Sequence, residues 1–189
     1  MRITGGQARG ITLALPKGDR VRPATDAMRQ AVFSSLAAYV PGARFLDLFA
    51  GSGAYGLEAL SRGASGGTFV EKDARTAAFI RENIAAVCKS LGRTTDGLHV
   101  VTADATTVAP GEAPDLVFVD PPYEIIAEVA PRIFSRLAEF LAVKPELLVV
   151  FEMPGELELA PAGWRSVKRL GKGARQPTAV IFKPSPVAP

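Results

Sequence analysis

Asp47-Leu48-Phe49-Ala50-Gly51-Ser52-Gly53-Ala54-Tyr55-Gly56 is the stretch that decides the fold: an apolar run from Arg44 to Leu48 enters three spaced glycines and leaves them as a helical pattern over Tyr55 to Ser61. Glycine has no Cβ, so its backbone can take positive φ and come close to a ligand. Gly51, Gly53 and Gly56 fit the GxGxxG spacing of a strand–turn–helix unit that offers a helix N-terminus to a nucleotide. That spacing alone admits a nicotinamide dinucleotide as readily as another nucleoside cofactor.

Outward from this turn, strand-like and helical patterns alternate. Gly67 to Val70, Arg75 to Cys88, Leu98 to Thr102, Leu116 to Val119, Ile125 to Leu141 and Leu147 to Phe151 follow one another. Near-continuous apolar strands joined by helices predict a parallel sheet covered on both faces. Trp164 to Leu170 and Thr178 to Phe182 are separated only by Gly171 through Pro177, a connection short enough to make that end antiparallel. Upstream, Arg22-Pro23-Ala24-Thr25-Asp26 opens a helix reaching about Tyr39, capped by Thr25 or Asp26, with Met28, Val32, Phe33 and Leu36 on one face. Ile3 to Leu15 reads as a hairpin or extended arm with Arg2 and Arg9 outward. The 189 residues therefore predict a single α/β domain over 1–183, with a basic hairpin arm over 1–22 and a disordered tail over 184–189.

Composition removes several function classes. Hydrophobic residues make up 48% and charged residues 22%, as in a folded globular domain. No run approaches the ~20 apolar residues of a membrane span, and the first residues lack the apolar segment of a secretory signal, so a cytoplasmic location is expected. Cys88 and His99 are the only residues of their kinds. No internal disulfide or multi-cysteine metal site can form, and no metal is expected; triad chemistry would have to run through His99, inside a strand pattern. Charge is uneven. Residues 1–44 hold seven Lys/Arg against two Asp/Glu, residues 163–189 hold six against none, and the stretch between is acidic. Basic ends on an acidic middle point to a polyanionic partner, because phosphate neutralisation drives nucleic-acid affinity. Arg2, Arg9, Arg20, Arg22, Thr25 and Arg29 are the candidate contacts.

Acidic residues recur where strands end. Asp47 stands four residues before Gly51, where a carboxylate suits the cationic amino-acid part of S-adenosylmethionine and would repel a pyrophosphate. Glu71, followed by Lys72, closes the second strand and can accept from two ribose hydroxyls. Asp104, followed by Ala105, comes after the third strand and can accept from an adenine amine. With Phe49, Ala50, Gly51, Ser52, Gly53 and Gly56, these are the candidate cofactor contacts. After the fourth strand comes Asp120-Pro121-Pro122-Tyr123, the candidate catalytic loop. An exocyclic base amine is a poor nucleophile because its lone pair is delocalised into the ring. Asp120 and the Pro121 carbonyl supply acceptors for its two N–H groups, the prolines stiffen the turn, and Tyr123 can stack on the base. The chemistry predicted is methyl transfer to an exocyclic amine. A DNA adenine-N6 methyltransferase would share this loop, although no sizeable target-recognition insert interrupts the chain. An NAD-dependent oxidoreductase would need a hydride-site acid or base that the loop does not offer.

With these residues assembled, the sequence resembles the bacterial 16S ribosomal RNA guanine-N2 methyltransferases of the D type. The resemblance covers nearly the whole chain. It is carried by Arg2-Ile3-Thr4-Gly5-Gly6 with Arg9-Gly10, by Arg22-Pro23-Ala24-Thr25-Asp26, by Asp47 through Ala64, and by Asp120 to Tyr123. It implies a Rossmann-like class I methyltransferase sheet of seven strands, mostly parallel with the last antiparallel. It also implies S-adenosylmethionine as donor, a guanine of 16S rRNA in a partly assembled small subunit as acceptor, and monomeric action. The sequence departs from that family's pattern at Ala24, where a threonine is usual, and at Ala27-Met28-Arg29-Gln30, where Arg-Val-Arg-Glu is usual.

Overall fold

The computed structural model describes residues 1–15, 25–108, 111–171, 173 and 176–186. Its elements are α1 (Asp26–Ser35), β1 (Arg44–Leu48), α2 (Ala54–Ser61), β2 (Gly66–Glu71), α3 (Ala74–Leu91), β3 (Leu98–Thr102), β4 (Leu116–Val119), α4 (Ile126–Ala138), β5 (Leu148–Pro154), β6 (Trp164–Leu170) and β7 (Pro177–Pro184). The seven strands form one sheet in the order β3-β2-β1-β4-β5-β7-β6. β1 to β5 pair in parallel, whereas β7 pairs antiparallel with both β5 and β6. β7 is thus the one reversed strand, as the short link from β6 predicts. The chain winds outward in both directions from β1 and β4, which makes the carboxyl ends of that pair the topological switch point where open α/β sheets bind ligands.

Strand alternation sorts the core into two layers. Phe45, Phe69, Leu116, Phe118 and Val150 pack with α1, α2, α3 and the N-terminal hairpin. Leu46, Leu48, Val117, Val119, Val149 and Phe151 pack with α4 on the opposite face. Phe134 fastens α4 by stacking on Phe151 at 5.8 Å and meeting Trp164 and Phe182 edge-on; truncating such an aromatic to alanine costs about 3–5 kcal/mol. α1 is capped by Thr25, whose Oγ1 accepts from the Met28 N–H, and ends four residues short of the expected Tyr39.

The hairpin is built into the body of the protein. Ile3 donates to the Ile11 carbonyl and Gly10 to that of Ile3, both at 2.9 Å, while Ile3, Ala8 and Leu13 are buried. Glu58 and Ser61 of α2 and Asn83 of α3 hold it by its backbone at Thr4, Ala8 and Ala14. At the other end β7 includes Pro184, and Ser185 donates to the Gly163 carbonyl. Pro184, expected to open a disordered tail, is instead held in strand pairing; residues 187–189 lie outside the described ones.

Candidate active site

A cleft of about 1090 Å³ opens at the carboxyl edge of the sheet, and the β1, β2, β3, β4 and β5 ends all contribute to it. Asp47 is 2% exposed and its Oδ2 accepts from the Gly56 N–H at 2.9 Å. Burial, with a smaller push from Glu71, raises its carboxyl to about 8. The loop after β1 holds Phe49 at φ 58°, a left-handed conformation that side chains other than glycine seldom adopt. Gly51 follows at φ 54°, and the atom nearest to where its Cβ would stand is the Phe49 carbonyl oxygen at 4.0 Å. The missing Cβ leaves open space on the cleft side, as a closely approaching ligand requires.

Glu71 ties this loop down. Its Oε2 accepts from Gly51 and its Oε1 from Asp73, each at 2.9 Å. Asp104 folds its own turn: Oδ1 accepts from the Thr106 N–H and hydroxyl, both at 2.7 Å, which holds its carboxyl below the usual range. Asp120 follows β4, and Pro121, Pro122 and Tyr123 continue from it along the same cleft. Desolvation, then the negative charges of Glu152 and Asp47, push the Asp120 carboxyl well above its ordinary value, while Arg29 pulls it down.

Of the residues expected to touch a cofactor, Asp47, Phe49, Ala50, Gly51, Ser52, Glu71, Lys72, Asp104 and Ala105 line the cleft; Gly53 and Gly56 do not. Gly53 begins α2 at φ 78°. At Gly56 a Cβ would collide with the rings of Phe69 and Phe45, so this glycine serves helix–sheet packing. Of the expected nucleic-acid contacts, Arg2 and Arg9 are exposed, Thr25 caps α1, and Arg20 and Arg22 lie outside the described residues. Arg29 is corrected outright. It is 0% exposed and donates to the Arg2 carbonyl at 2.6 Å and to Asp26 at 2.7 Å, so no phosphate reaches it. Sequence reasoning also missed Tyr55 and Glu152, which line the cleft and are joined by a 2.8 Å hydrogen bond from the tyrosine hydroxyl to Glu152 Oε2. The available signal was a glutamate at the carboxyl end of an apolar strand, the position held by Asp47, Glu71 and Asp104 on their own strands. Among the described residues no group of His, Cys, Asp and Glu is arranged to hold a metal ion.

A sheet ordered 3-2-1-4-5-7-6 with one reversed strand, a glycine turn beside strand-end carboxylates, and an Asp-Pro-Pro-Tyr loop at the switch point define a Rossmann-like class I methyltransferase. The reversed β7 also sets it apart from the 3-2-1-4-5-6 order of dinucleotide-binding dehydrogenases. Residues 1–180 match the family described as Conserved hypothetical protein 95, and the chain belongs to that family. The ribosomal RNA small subunit methyltransferase D of Escherichia coli is 36% identical over 87% of this chain and 81% of its own. The protein of that name from Haemophilus influenzae is 31% identical over 92% and 89%. Among solved structures, yhhF of Escherichia coli superimposes with a TM-score of 0.80 at 31% identity, covering 97% of each chain.

Proposed function

We propose that this protein transfers a methyl group from S-adenosylmethionine to the exocyclic N2 of one guanine in 16S rRNA, acting as a monomer in the cytoplasm on a partly assembled small ribosomal subunit. The carrying observation is the convergence of Asp120 and Pro121 with the Gly51 turn, Glu71 and Asp104 in a single cleft. Its volume stands at the upper end for ligand pockets, enough for a nucleoside cofactor and a base turned out of its stack. The relatives named as small-subunit RNA methyltransferases support the choice of RNA.

The residues present suit that cofactor. The open side of Gly51 would admit close approach, Glu71 would hold the ribose hydroxyls through the lone pairs that Gly51 and Asp73 leave it, and Asp104, with Oδ1 engaged by Thr106, would hold the adenine amine. Asp47, costly to ionise when alone, gains a partner in the ammonium group. Bound S-adenosylmethionine supplies an electrophilic methyl group on a sulfonium. Asp120 and the Pro121 carbonyl accept the two N–H bonds of the amine and turn its lone pair toward that methyl. Asp120, its carboxyl raised, would have to be ionised in the complex to take the proton that the amine sheds as the C–N bond forms and the methyl–sulfur bond breaks. Tyr123 stacks on the base.

Mapping 2-methylguanosine across 16S rRNA from a strain lacking the gene tests this reading. One position should lose its methyl group and regain it when the purified protein and S-adenosylmethionine are added to precursor particles; an unchanged methylation profile overturns the substrate assignment.

A further inference from the structure

Three carboxylates stand side by side on neighbouring strands. Asp47 is on β1, Asp120 follows β4, and Glu152 is on β5, in the step after the paired Val119 and Phe151. Their strand neighbours Phe45, Phe118 and Val150 belong to the layer under α1 and α2, so the three acids share one face of the sheet. In the proposed function Asp47 serves the cofactor and Asp120 the reacting amine. Glu152 has no task in that scheme, yet it lines the same cleft at 3% exposure.

Its carboxylate is held in place. Tyr55 donates to Oε2 at 2.8 Å, and the Tyr55 ring is itself stacked on Phe118, centroids 5.2 Å apart and planes 17° off parallel. No described residue donates a hydrogen bond to Oε1. An immobilised, buried carboxylate with one oxygen spoken for, beside the group that receives the amine, is suited to a second donor on the same ligand.

Base chemistry identifies that donor. On guanine the 2-amino group is flanked by N1–H, so the edge offers donors in sequence. On adenine or cytosine the exocyclic amine is flanked by a ring nitrogen lone pair, which a carboxylate would repel. We propose that Glu152 is a specificity-determining residue that accepts the N1–H of the target guanine while Asp120 and Pro121 hold its 2-amino group. This rests on the reading of the substrate as a guanine amine and extends it to how the base is chosen. Burial raises the Glu152 carboxyl, while the Tyr55 hydrogen bond and the Arg29 charge favour its ionised form; an N–H from the base adds to the same side.

The test uses 16S rRNA ligated to carry either guanosine or 2,6-diaminopurine riboside at the methylated position and reconstituted into particles. Diaminopurine keeps the 2-amino group and replaces N1–H by a lone pair. The wild-type enzyme should prefer guanosine roughly tenfold to a hundredfold in kcat/KM, the discrimination that a well-made base contact supplies. In Glu152→Gln the amide can donate to N1, and the preference should collapse toward unity while S-adenosylmethionine affinity and thermal midpoint stay close to wild type. Because both substrates meet one enzyme preparation, the ratio is indifferent to any fraction unfolded. Glu152→Asp, which keeps the charge one methylene further back, provides the same comparison if the amide variant does not fold. A ratio unchanged in both variants overturns the proposal, as does a wild-type enzyme that methylates both RNAs equally, although the guanine-amine reading would then survive. A wild-type enzyme that methylates neither removes that reading and the proposal with it.

Discussion

Two groupings of buried carboxylates lie close together in this molecule, and they differ in who satisfies them. Glu58 on α2 is 0% exposed and surrounded by the chain's own donors. The Thr4 N–H and hydroxyl reach it at 2.7 Å, and Arg62 donates through Nε at 2.9 Å and Nη2 at 2.8 Å. Asp47, Asp120 and Glu152 are acids stacked against one another, with the Gly56 N–H, the Tyr55 hydroxyl and the distributed charge of Arg29 as their relief. A buried charge is tolerated when it is paired and hydrogen-bonded and becomes a burden otherwise. Glu58 fastens the hairpin to α2, and the strand-end row is left for a ligand rich in donors and positive charge. That contrast separates structural acid from site acid more sharply than exposure does, since both groupings are buried.

The contrast breaks most visibly at Asp120. Asp120→Ala removes the acceptor and the proton sink together, so kcat should fall by about 10²–10⁴-fold, the usual worth of a positioned acid–base group, while S-adenosylmethionine affinity by calorimetry stays within a few-fold. Near-wild-type turnover in this variant would strip Asp120 of its role. Glu58→Ala attacks the other grouping. It leaves Arg62 without its carboxylate and the Thr4 N–H without an acceptor, while Arg29 keeps Asp26, and should cost about 3–5 kcal/mol in urea unfolding. A cost below 1 kcal/mol would mean that the cluster does not hold the hairpin.

Asp47 offers the sharper comparison, because its removal should act with the opposite sign. Its carboxyl sits near 8 in the fold and at 3.8 when free, so the protonated form is the one the fold favours. The stability it contributes is whole below pH 3.8 and is lost as pH rises toward 8. Asp47→Asn cannot ionise and can still accept from Gly56. Cofactor-free Asn variant should therefore melt above wild type at pH 8, with the gap closing at pH 5, and should bind S-adenosylmethionine more weakly. Such an exchange of function for stability is usual where a site stores unfavourable charge. A variant less stable than wild type at pH 8 would show that Asp47 is already satisfied without a ligand.

Much of this could be read from residue order. The alternation of apolar runs and amphipathic helices located every strand to within a few residues, and the acids placed at or just beyond the carboxyl ends of β1, β2, β3 and β4 all line one cleft. What escaped depended on contacts distant in sequence. β5 continues past Phe151 because β7 pairs with it through Glu152 and beyond; in the sequence alone that glutamate looks like the place where the apolar strand stops. Arg29 reads as one more charge in a basic segment, and its burial is set by Asp26, the Arg2 backbone and Glu58, which only the fold brings around it. The GxGxxG spacing was recognised as a unit, yet only Gly51 opens toward the cleft; the packing of Gly56 on Phe69 depends on a strand that follows it.

The smallest expected effect concerns the surface of the same hairpin that Glu58 secures from within. Arg9 is exposed and makes no ion pair among the described residues, whereas Arg2 stands 3.5 Å from Asp26. If the hairpin's outer side contacts RNA, Arg9→Ala should weaken binding to precursor particles slightly and lower the slope of log affinity against log salt by about 0.7–0.9, the share of one phosphate contact. Its thermal midpoint should not move, because nothing in the Glu58 cluster is touched. An unchanged salt slope would confine the hairpin to a structural role and shift attention to Arg165, Lys168 and Arg169, exposed on the edge strand β6, as the next cations positioned to meet a phosphate backbone.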